Sequence, residues 1–416
     1  MAERVERVGG CRHPIRLRGT SKDGGYTTSD EPDGVLLVAC GTRRASRCPS
    51  CSATYKGDAR QLVLAGLEGG KGVPETVSSH SAVFATLTAP SFGAVHSAGK
   101  GRCHLGPPGV CPHGRSRHCL EAHDPGDDVV GSPLCRDCYD YVGAVMFNAT
   151  AGELWRRVTI YAFRHLAYAL GTTPERLREE VRLSYTKVVE FQRRGVVHIH
   201  AVVRADAADD DLAEPPIAIT ANLLVEALHR AVGAVRVARS IGDRRLVLSF
   251  GTQLRVDPIE RPSRAAVASY VAKYTVKSAD RAEVLDHRLR DGEIDLLELP
   301  HHVEALVRTA LEVGQREGLG RLQRWAHAFA FSGHVLTKSR RYSTTFGELR
   351  LARRIWRVEG GDEVESIGFT RWSFKGTGYR CEIDHVLAIS FAERRRQGRL
   401  AAYEKRRSMD RLAEAS

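Results

Sequence analysis

No apolar run in this chain approaches the roughly 20 residues that a membrane-spanning helix takes. The charged opening Met-Ala-Glu-Arg-Val-Glu-Arg is followed by no apolar segment of the kind that forms a secretory signal. A cytoplasmic protein without membrane contact is therefore expected. A phosphate loop is missing as well. Ala65-Gly66-Leu67-Glu68-Gly69-Gly70-Lys71-Gly72 superficially has the composition of one, but the pattern needs glycine at 65 and Ser or Thr at 72. No nucleotide cofactor is expected. What the chain has in excess is positive charge. Its 62 Lys and Arg against 50 Asp and Glu leave a net charge of +12, which attracts polyanions and makes phosphate contacts steeply salt-dependent. With 416 residues, 42% of them hydrophobic, the chain can bury a substantial core, divided among about two or three domains.

Residues 188–204 read as a β-hairpin. Alternating β-branched runs flank Arg193-Arg194-Gly195, a turn with glycine where the backbone usually needs a left-handed conformation. Side chains alternate along a strand, so His198 and His200 share one face and Val197, Ile199, Ala201 and Val203 the other. With that turn, Gln192 faces Val196 and Glu190 falls opposite His198, their Cβ atoms roughly 5 Å apart. Strand histidines are commonly just half-buried residues. The carboxylate in register shifts the balance toward a metal site of two imidazoles and one carboxylate. Catalytic zinc in a hydrolase suits the same donors, and a protein nucleophile elsewhere in the chain would separate the two readings.

Residues 270–277, Tyr-Val-Ala-Lys-Tyr-Thr-Val-Lys, supply a candidate. Pro262 and Ser263 mark a helix start, and Tyr270 and Tyr274 then share a face one turn apart, ~6 Å along the axis. Lys273 and Lys277 each follow a tyrosine by three residues. Val267, Tyr270, Val271 and Tyr274 would also serve as a buried stripe, the commoner use of aromatics at this spacing. The repeated Tyr-x-x-Lys favours chemistry. A tyrosine that attacks a phosphodiester must have its pKa of ~10 countered, which a lysine or a metal-bound phosphate can do.

The His-hydrophobe-His strand together with Tyr-x-x-Lys-Tyr-x-x-Lys resembles the HUH endonucleases. From about residue 35 to about residue 355 the chain is similar to the rolling-circle replication initiators of actinobacterial plasmids and integrative elements. Phe84-Ala85-Thr86-Leu87-Thr88 matches the family's first strand, and the motifs come in the family's order. Cys40-Gly41-Thr42-Arg43-Arg44-Ala45, Cys48-Pro49-Ser50-Cys51, Arg324-Trp325-Ala326-His327 and the stretch from Thr337 to Thr345 look like the same family. The resemblance implies an α+β HUH endonuclease fold, an antiparallel sheet with helices packed on one face, carrying a zinc-binding N-terminal elaboration. It implies a nickase in which Glu190, His198 and His200 hold Mg²⁺ or Mn²⁺ and a tyrosine attacks, with Lys273 as its helper. The products would be a 5′-phosphotyrosine and a free 3′-hydroxyl that primes synthesis by a host polymerase, with a host helicase unwinding. One-tyrosine members use the residue opening Tyr-x-x-Lys, here Tyr270; relatives resembling phage gene-A proteins use two, which adds Tyr274. A HUH transposase or conjugative relaxase would run the same chemistry on other DNA. A zinc-containing DNA-binding regulator without catalysis is the non-enzyme alternative, and the intact tyrosine motif counts against it.

Around these motifs, residues 1–34 lack a sustained period and read as a loosely ordered leader, with Cys11 an unpaired thiol. Residues 35–145 form a zinc-binding region wrapped around the strand at 82–88. Its Cys40, Cys48, Cys51, Cys103, Cys111, Cys119, Cys135 and Cys138 include Cys-x-x-Cys pairs at 48/51 and 135/138. Eight thiols would fill about two tetrahedral zinc sites, and His104, His113, His118 or His123 could replace one. The nuclease spans 80–280, with helices over 149–170 and 221–234, a strand from Val181 into the hairpin and another over 246–256. Residues 281–355 are a helical and basic DNA-binding extension, and 356–416 a basic tail. Arg193, Arg194, Lys277 and the patch Lys338, Arg340, Arg341 and Tyr342 are the expected DNA contacts, the tyrosine as a base-stacking ring.

Overall fold

The structure, a computed structural model, describes residues 2–21, 26–99, 101–106, 109–208, 212–281, 285, 287–290, 292–316, 318–358 and 369–414. It divides into two compact units, residues 1–58 with 346–416 and residues 59–345. In chain order, the first unit opens with α1 (Ala2–Arg7), β1 (Ile15–Ser21) and β2 (Leu36–Val38), and α2 (Pro49–Glu68) carries the division. The second holds β3 (Ala82–Leu87), α3 (Tyr141–Ala169), α4 (Pro174–Glu180), β4 (Val181–Phe191), β5 (Val197–Ala207) and α5 (Ala221–Ala234). It continues through β6 (Val237–Ile241), β7 (Arg244–Leu248), β8 (Leu254–Pro258), α6 (Arg264–Arg281), α7 (His301–Gly314), α8 (Gly320–Arg324) and β9 (Leu336–Lys338). The chain then returns to the first unit with α9 (Phe346–Val358), β10 (Phe369–Thr377) and α10 (Glu382–Glu414).

In the second unit one antiparallel sheet runs β8-β3-β5-β4-β9, so the expected mixture of antiparallel strands and helices is present. The apolar face of that sheet follows the period of two. Val83, Ala85 and Leu87 of β3 and Val197, Ile199, Ala201 and Val203 of β5 join one buried cluster with Leu154, Trp155 and Val158 of α3, Leu224 and Leu228 of α5, and Leu306 of α7. Each such large side chain contributes roughly 1.5–3 kcal/mol by leaving water. Helix starts are set by polar caps. Asp140 accepts from Gly143 N at 2.9 Å and Thr220 from Leu223 N at 3.3 Å, satisfying amides that have no partner inside the helix.

The opposite face of the sheet is polar at its far end and closed by a charge network. Arg204 Nε donates to Asp206 Oδ1 at 2.6 Å and Nη2 to Oδ2 at 2.9 Å, both residues fully buried. His80 Nδ1 lies 2.8 Å from the same carboxylate, and Arg204 also donates to the Gly66 and Tyr342 carbonyls. Tyr342 fills the space above Gly66, where a Cβ would overlap its ring. Its hydroxyl donates to Val63 O at 3.1 Å.

Several expectations are corrected here. Among its described residues the leader, expected to be loosely ordered, carries paired structure: β1 pairs with β2 on one side and β10 on the other, and β10 lies far along the chain, where local periodicity cannot reveal it. Those pairings also place residues 346–416 in one unit with the N-terminus, where a separate tail was expected. The cysteines divide between the units, 40, 48 and 51 in the first and 103–138 in the second, so no single zinc region spans 35–145. The strand expected over 246–256 is two strands, β7 and β8, because Gly251 N leaves the run to donate to Thr88 O at 2.8 Å. Helix α3 begins at Tyr141, ahead of the predicted 149, since the Asp140 cap starts it at a glycine-containing turn. Of the extension expected to be helical over 281–355, residues 282–284, 286, 291 and 317 lie outside the described residues, and α7 occupies 301–314.

Lys187 points to the helix-covered face, opposite Ala201 and Thr337 in the pairing, and burial pulls its ammonium from 10.5 down to about 8. A depressed lysine costs the folded state while it is charged in both states, and the cost disappears as pH rises from about 8 toward 10.5. Lys187→Met is expected to raise stability near pH 7 by on the order of 2–3 kcal/mol in urea unfolding, a gain that shrinks above pH 8. A gain independent of pH would contradict this. For Tyr342→Phe, which removes the hydroxyl's hydrogen bond to Val63 O, a loss of about 0.5–1.5 kcal/mol is expected with affinity for single-stranded DNA unchanged. The reverse pattern would make Tyr342 a DNA contact.

Candidate functional site

The hairpin takes the expected register. Glu190 pairs with His198 and Val188 with His200, Gln192 N donates to Val196 O at 2.9 Å, and Gly195 closes the turn by donating to Gln192 O at 2.8 Å. Gly195 sits at φ +71 with the Leu306 side chain where a Cβ would be, so glycine is required on both counts. Thr86, opposite His200 on β3, places its hydroxyl 3.1 Å from Nδ1. That contact turns the other ring nitrogen, Nε2, toward Glu190 Oε2 at 3.8 Å.

Helix α6 crosses the same face. The Tyr274 hydroxyl donates to that of Tyr270 at 3.1 Å, and the ring centroids of Tyr274 and Tyr270 lie 4.6 and 5.4 Å from that of His200. Tyr270 is 41% exposed and packs edge-on to Phe84. Lys277 Nζ reaches Glu190 Oε1 at 3.0 Å and stands 5.0 Å from the Tyr274 ring centre. Lys273, the expected helper, is exposed on the helix; the lysine beside the carboxylate is the one a turn later.

Burial, and then the charge of neighbouring His200, draw His198 down to about 4, so near neutrality its imidazole is uncharged with a lone pair to offer. Burial works against the charge of Glu190, but His200 and Lys277 together hold it below the ordinary carboxylate value. His198 Nδ1 and His200 Nε2 are buried without a hydrogen-bond partner, whereas buried polar atoms normally have one. Those two atoms with a carboxylate suit a divalent ion as further partner. The three residues are looser than the cysteine groups below: they are not among the sets whose donor atoms all lie within 4.8 Å of one another, and Lys277 engages one carboxylate oxygen.

Such compact sets number three among the described residues: Cys11, Cys40, Cys48 and Cys51; His96, Cys103, Cys119 and His123; and Cys111, His113, Cys135 and Cys138. Each could hold a metal ion such as zinc. The eight expected cysteines all take part. Cys11, expected as an unpaired thiol, completes the first set, and His96, His113 and His123 raise the number of sets above the two expected. His113 and His123 are two of the histidines expected as possible replacements, whereas Cys11 and His96 lie outside any Cys-x-x-Cys pair and had no local signal.

The expected DNA contacts separate. Arg340 and Arg341 are exposed, while Lys338 caps its own turn, donating to Arg340 O at 2.9 Å. Tyr342 is fully buried and cannot receive a base. Arg194 spends its guanidinium on Pro90 O at 2.8 Å, Ala89 O at 3.0 Å and Gln192 at 2.9 Å, which makes it a brace of the turn. Arg193 donates to Asp127 O. A residue the sequence did not single out is Asn148 of α3. Its Nδ2 donates to Gly195 O at 2.9 Å and Phe329 O at 3.0 Å, and its Oδ1 accepts from Val197 N at 2.8 Å. A buried asparagine inside an apolar helix is the one cue that pointed to it.

The sequence matches over residues 1–393 a protein family described as replication initiator protein, pSAM2. A replication initiator protein of Streptomyces ambofaciens is 37% identical over 433 residues, an alignment covering 97% of this chain and 91% of that protein. No solved structure matches. With nearly the whole length matched in both comparisons, the chain belongs to the family of the pSAM2 replication initiator protein.

Proposed function

We propose that this replication initiator nicks one strand of DNA at its origin by tyrosine attack. The observation that carries the reading is the packing of two phenols, their hydroxyls 3.1 Å apart, over a face that holds His198, His200 and Glu190. A buried aromatic stripe would hide both rings, whereas Tyr270 is open to solvent.

In this scheme the phenol oxygen of Tyr270 attacks phosphorus and loses its proton, the bond from phosphorus to the 3′ oxygen breaks, and that oxygen leaves as a hydroxyl. The 5′-phosphotyrosine keeps the energy of the broken bond for later closure, and the 3′-hydroxyl serves a host polymerase as primer. Glu190, His198 and His200 would hold Mg²⁺ or Mn²⁺, which supplies charge neutralisation at the phosphate. Lys277 steadies Glu190 and offers positive charge beside Tyr274. Tyr274, one turn away with its hydroxyl 3.1 Å from that of Tyr270, would take the second cleavage. His198, drawn down to about 4 by burial and by His200, is neutral near pH 7 and keeps its lone pair available to a cation. The match over nearly the full chain to replication initiators favours an origin over a transposon end as the target.

His198→Ala and His200→Ala are each expected to cut nicking of supercoiled origin plasmid with Mg²⁺ or Mn²⁺ by at least about 100-fold. DNA affinity should stay within a few-fold, because Lys and Arg contacts to phosphate supply most of it. Undiminished nicking would remove the hairpin from the chemistry. Peptide mapping of the protease-sensitive protein–DNA adduct should find it on Tyr270, with Tyr274→Phe impaired in termination. An adduct on neither tyrosine would overturn the nuclease assignment.

A further inference from the structure

Between β3 and α3 the chain runs from residue 88 to 140, and among its described residues isolated bridges are the only ladder pairings. Leu105, Val110 and Leu120 there are all more than half exposed. A connection with so little core needs another source of order. Two of the three donor sets lie in it, and their ligands interleave. His96 and Cys103 belong to one set, Cys111 and His113 to the other, Cys119 and His123 to the first again, and Cys135 and Cys138 to the second.

The spacing within each set fits a single tetrahedral ion. Zinc bound at about 2.3 Å to sulfur and about 2.0–2.1 Å to nitrogen puts neighbouring donors roughly 3.3–3.8 Å apart. The first set shows 3.2 Å between His96 Nδ1 and His123 Nε2, 3.4 Å between Cys119 Sγ and His123 Nε2, and 3.6 Å between Cys103 Sγ and His96 Nδ1. In the second, His113 Nδ1 lies 3.3 Å from Cys138 Sγ and 3.8 Å from Cys135 Sγ. In the first unit Cys11 and Cys48 are 3.9 Å apart, far beyond the ~2.05 Å of a disulfide.

We propose that the protein binds three zinc ions and that the two in the β3–α3 connection form one crossed module, gained and lost together. Each ion there closes a loop that contains a ligand pair of the other. Releasing His96, Cys103, Cys119 and His123 frees both ends of the segment that carries Cys111 and His113, so the second ion faces ligands that must be ordered afresh. The Cys11, Cys40, Cys48 and Cys51 ion shares no segment with them and binds independently. The crossed module also braces the hairpin turn. Arg193 donates to Asp127 O, the Gly131 backbone packs against Arg193, and the Tyr139 hydroxyl reaches Arg194 O at 3.5 Å. This inference does not depend on the nickase reading.

Elemental analysis of the full chain purified under reducing conditions should find three zinc ions, one per set. A chelator challenge followed with a metallochromic dye should release two of them in one phase and the third in another. His96→Ala/Cys103→Ala is expected to bring the content from three to one, and Cys11→Ser/Cys48→Ser from three to two. In the former, amide exchange over residues 188–204 should speed up at least about tenfold as the turn loses its brace. A content below three, iron in place of zinc, three separate release phases, or two ions retained by His96→Ala/Cys103→Ala would each overturn the proposal. Should that variant fail to fold, the release phases of the unaltered protein decide.

Discussion

Everything at the candidate site depends on the pairing register of β4 with β5. Because side chains alternate with a period of two, a slip by one residue would send His198 and His200 into the apolar core and Val197 and Ile199 to the open face. The turn resists that slip in three ways. Gly195 takes a left-handed backbone that few other residues tolerate. Asn148, buried in α3, holds both Gly195 O and Val197 N, and Arg194 ties the tip to the end of β3 through Ala89 and Pro90.

The face so fixed is electrically sorted. At its far end Arg204 and Asp206 are fully buried and pair bidentately. Removing one partner of such a pair leaves an uncompensated charge, at a cost of about 3–5 kcal/mol. That end is a closed structural block, sealed by Tyr342. At the near end His198 is uncharged, Glu190 lies between Lys277 and His200, and the tyrosine hydroxyls are hydrogen-bonded to one another. The candidate site and the closed charge network thus occupy opposite ends of one surface.

The irregular connection after β3 is the third part of the arrangement. It contributes few residues to the core and yet touches the hairpin tip through Asp127, Gly131 and Tyr139. Polar loops hold such a position when their ends are tied, and soft-donor sets drawn from both ends of the segment are one way to tie them. Strand register, turn geometry and the loop's ligands thus act on the same few residues around Arg193 and Arg194.

Local pattern was enough for the hairpin, its turn, the pairing of Glu190 with His198, the helix Ala221–Ala234 and the shared face of Tyr270 and Tyr274. Each follows from a period of 2 or 3.6 and one turn residue, information that lies within a few positions of itself. The pairing of β1 with β10, the grouping of Cys11 and His96 with the cysteines, the turn-bracing use of Arg194 and the burial of Tyr342 were decided by tertiary structure. In every one of these a residue's role is set by a partner distant in sequence. Spacing shows which side chains share a face, but only the folded chain determines what that face meets.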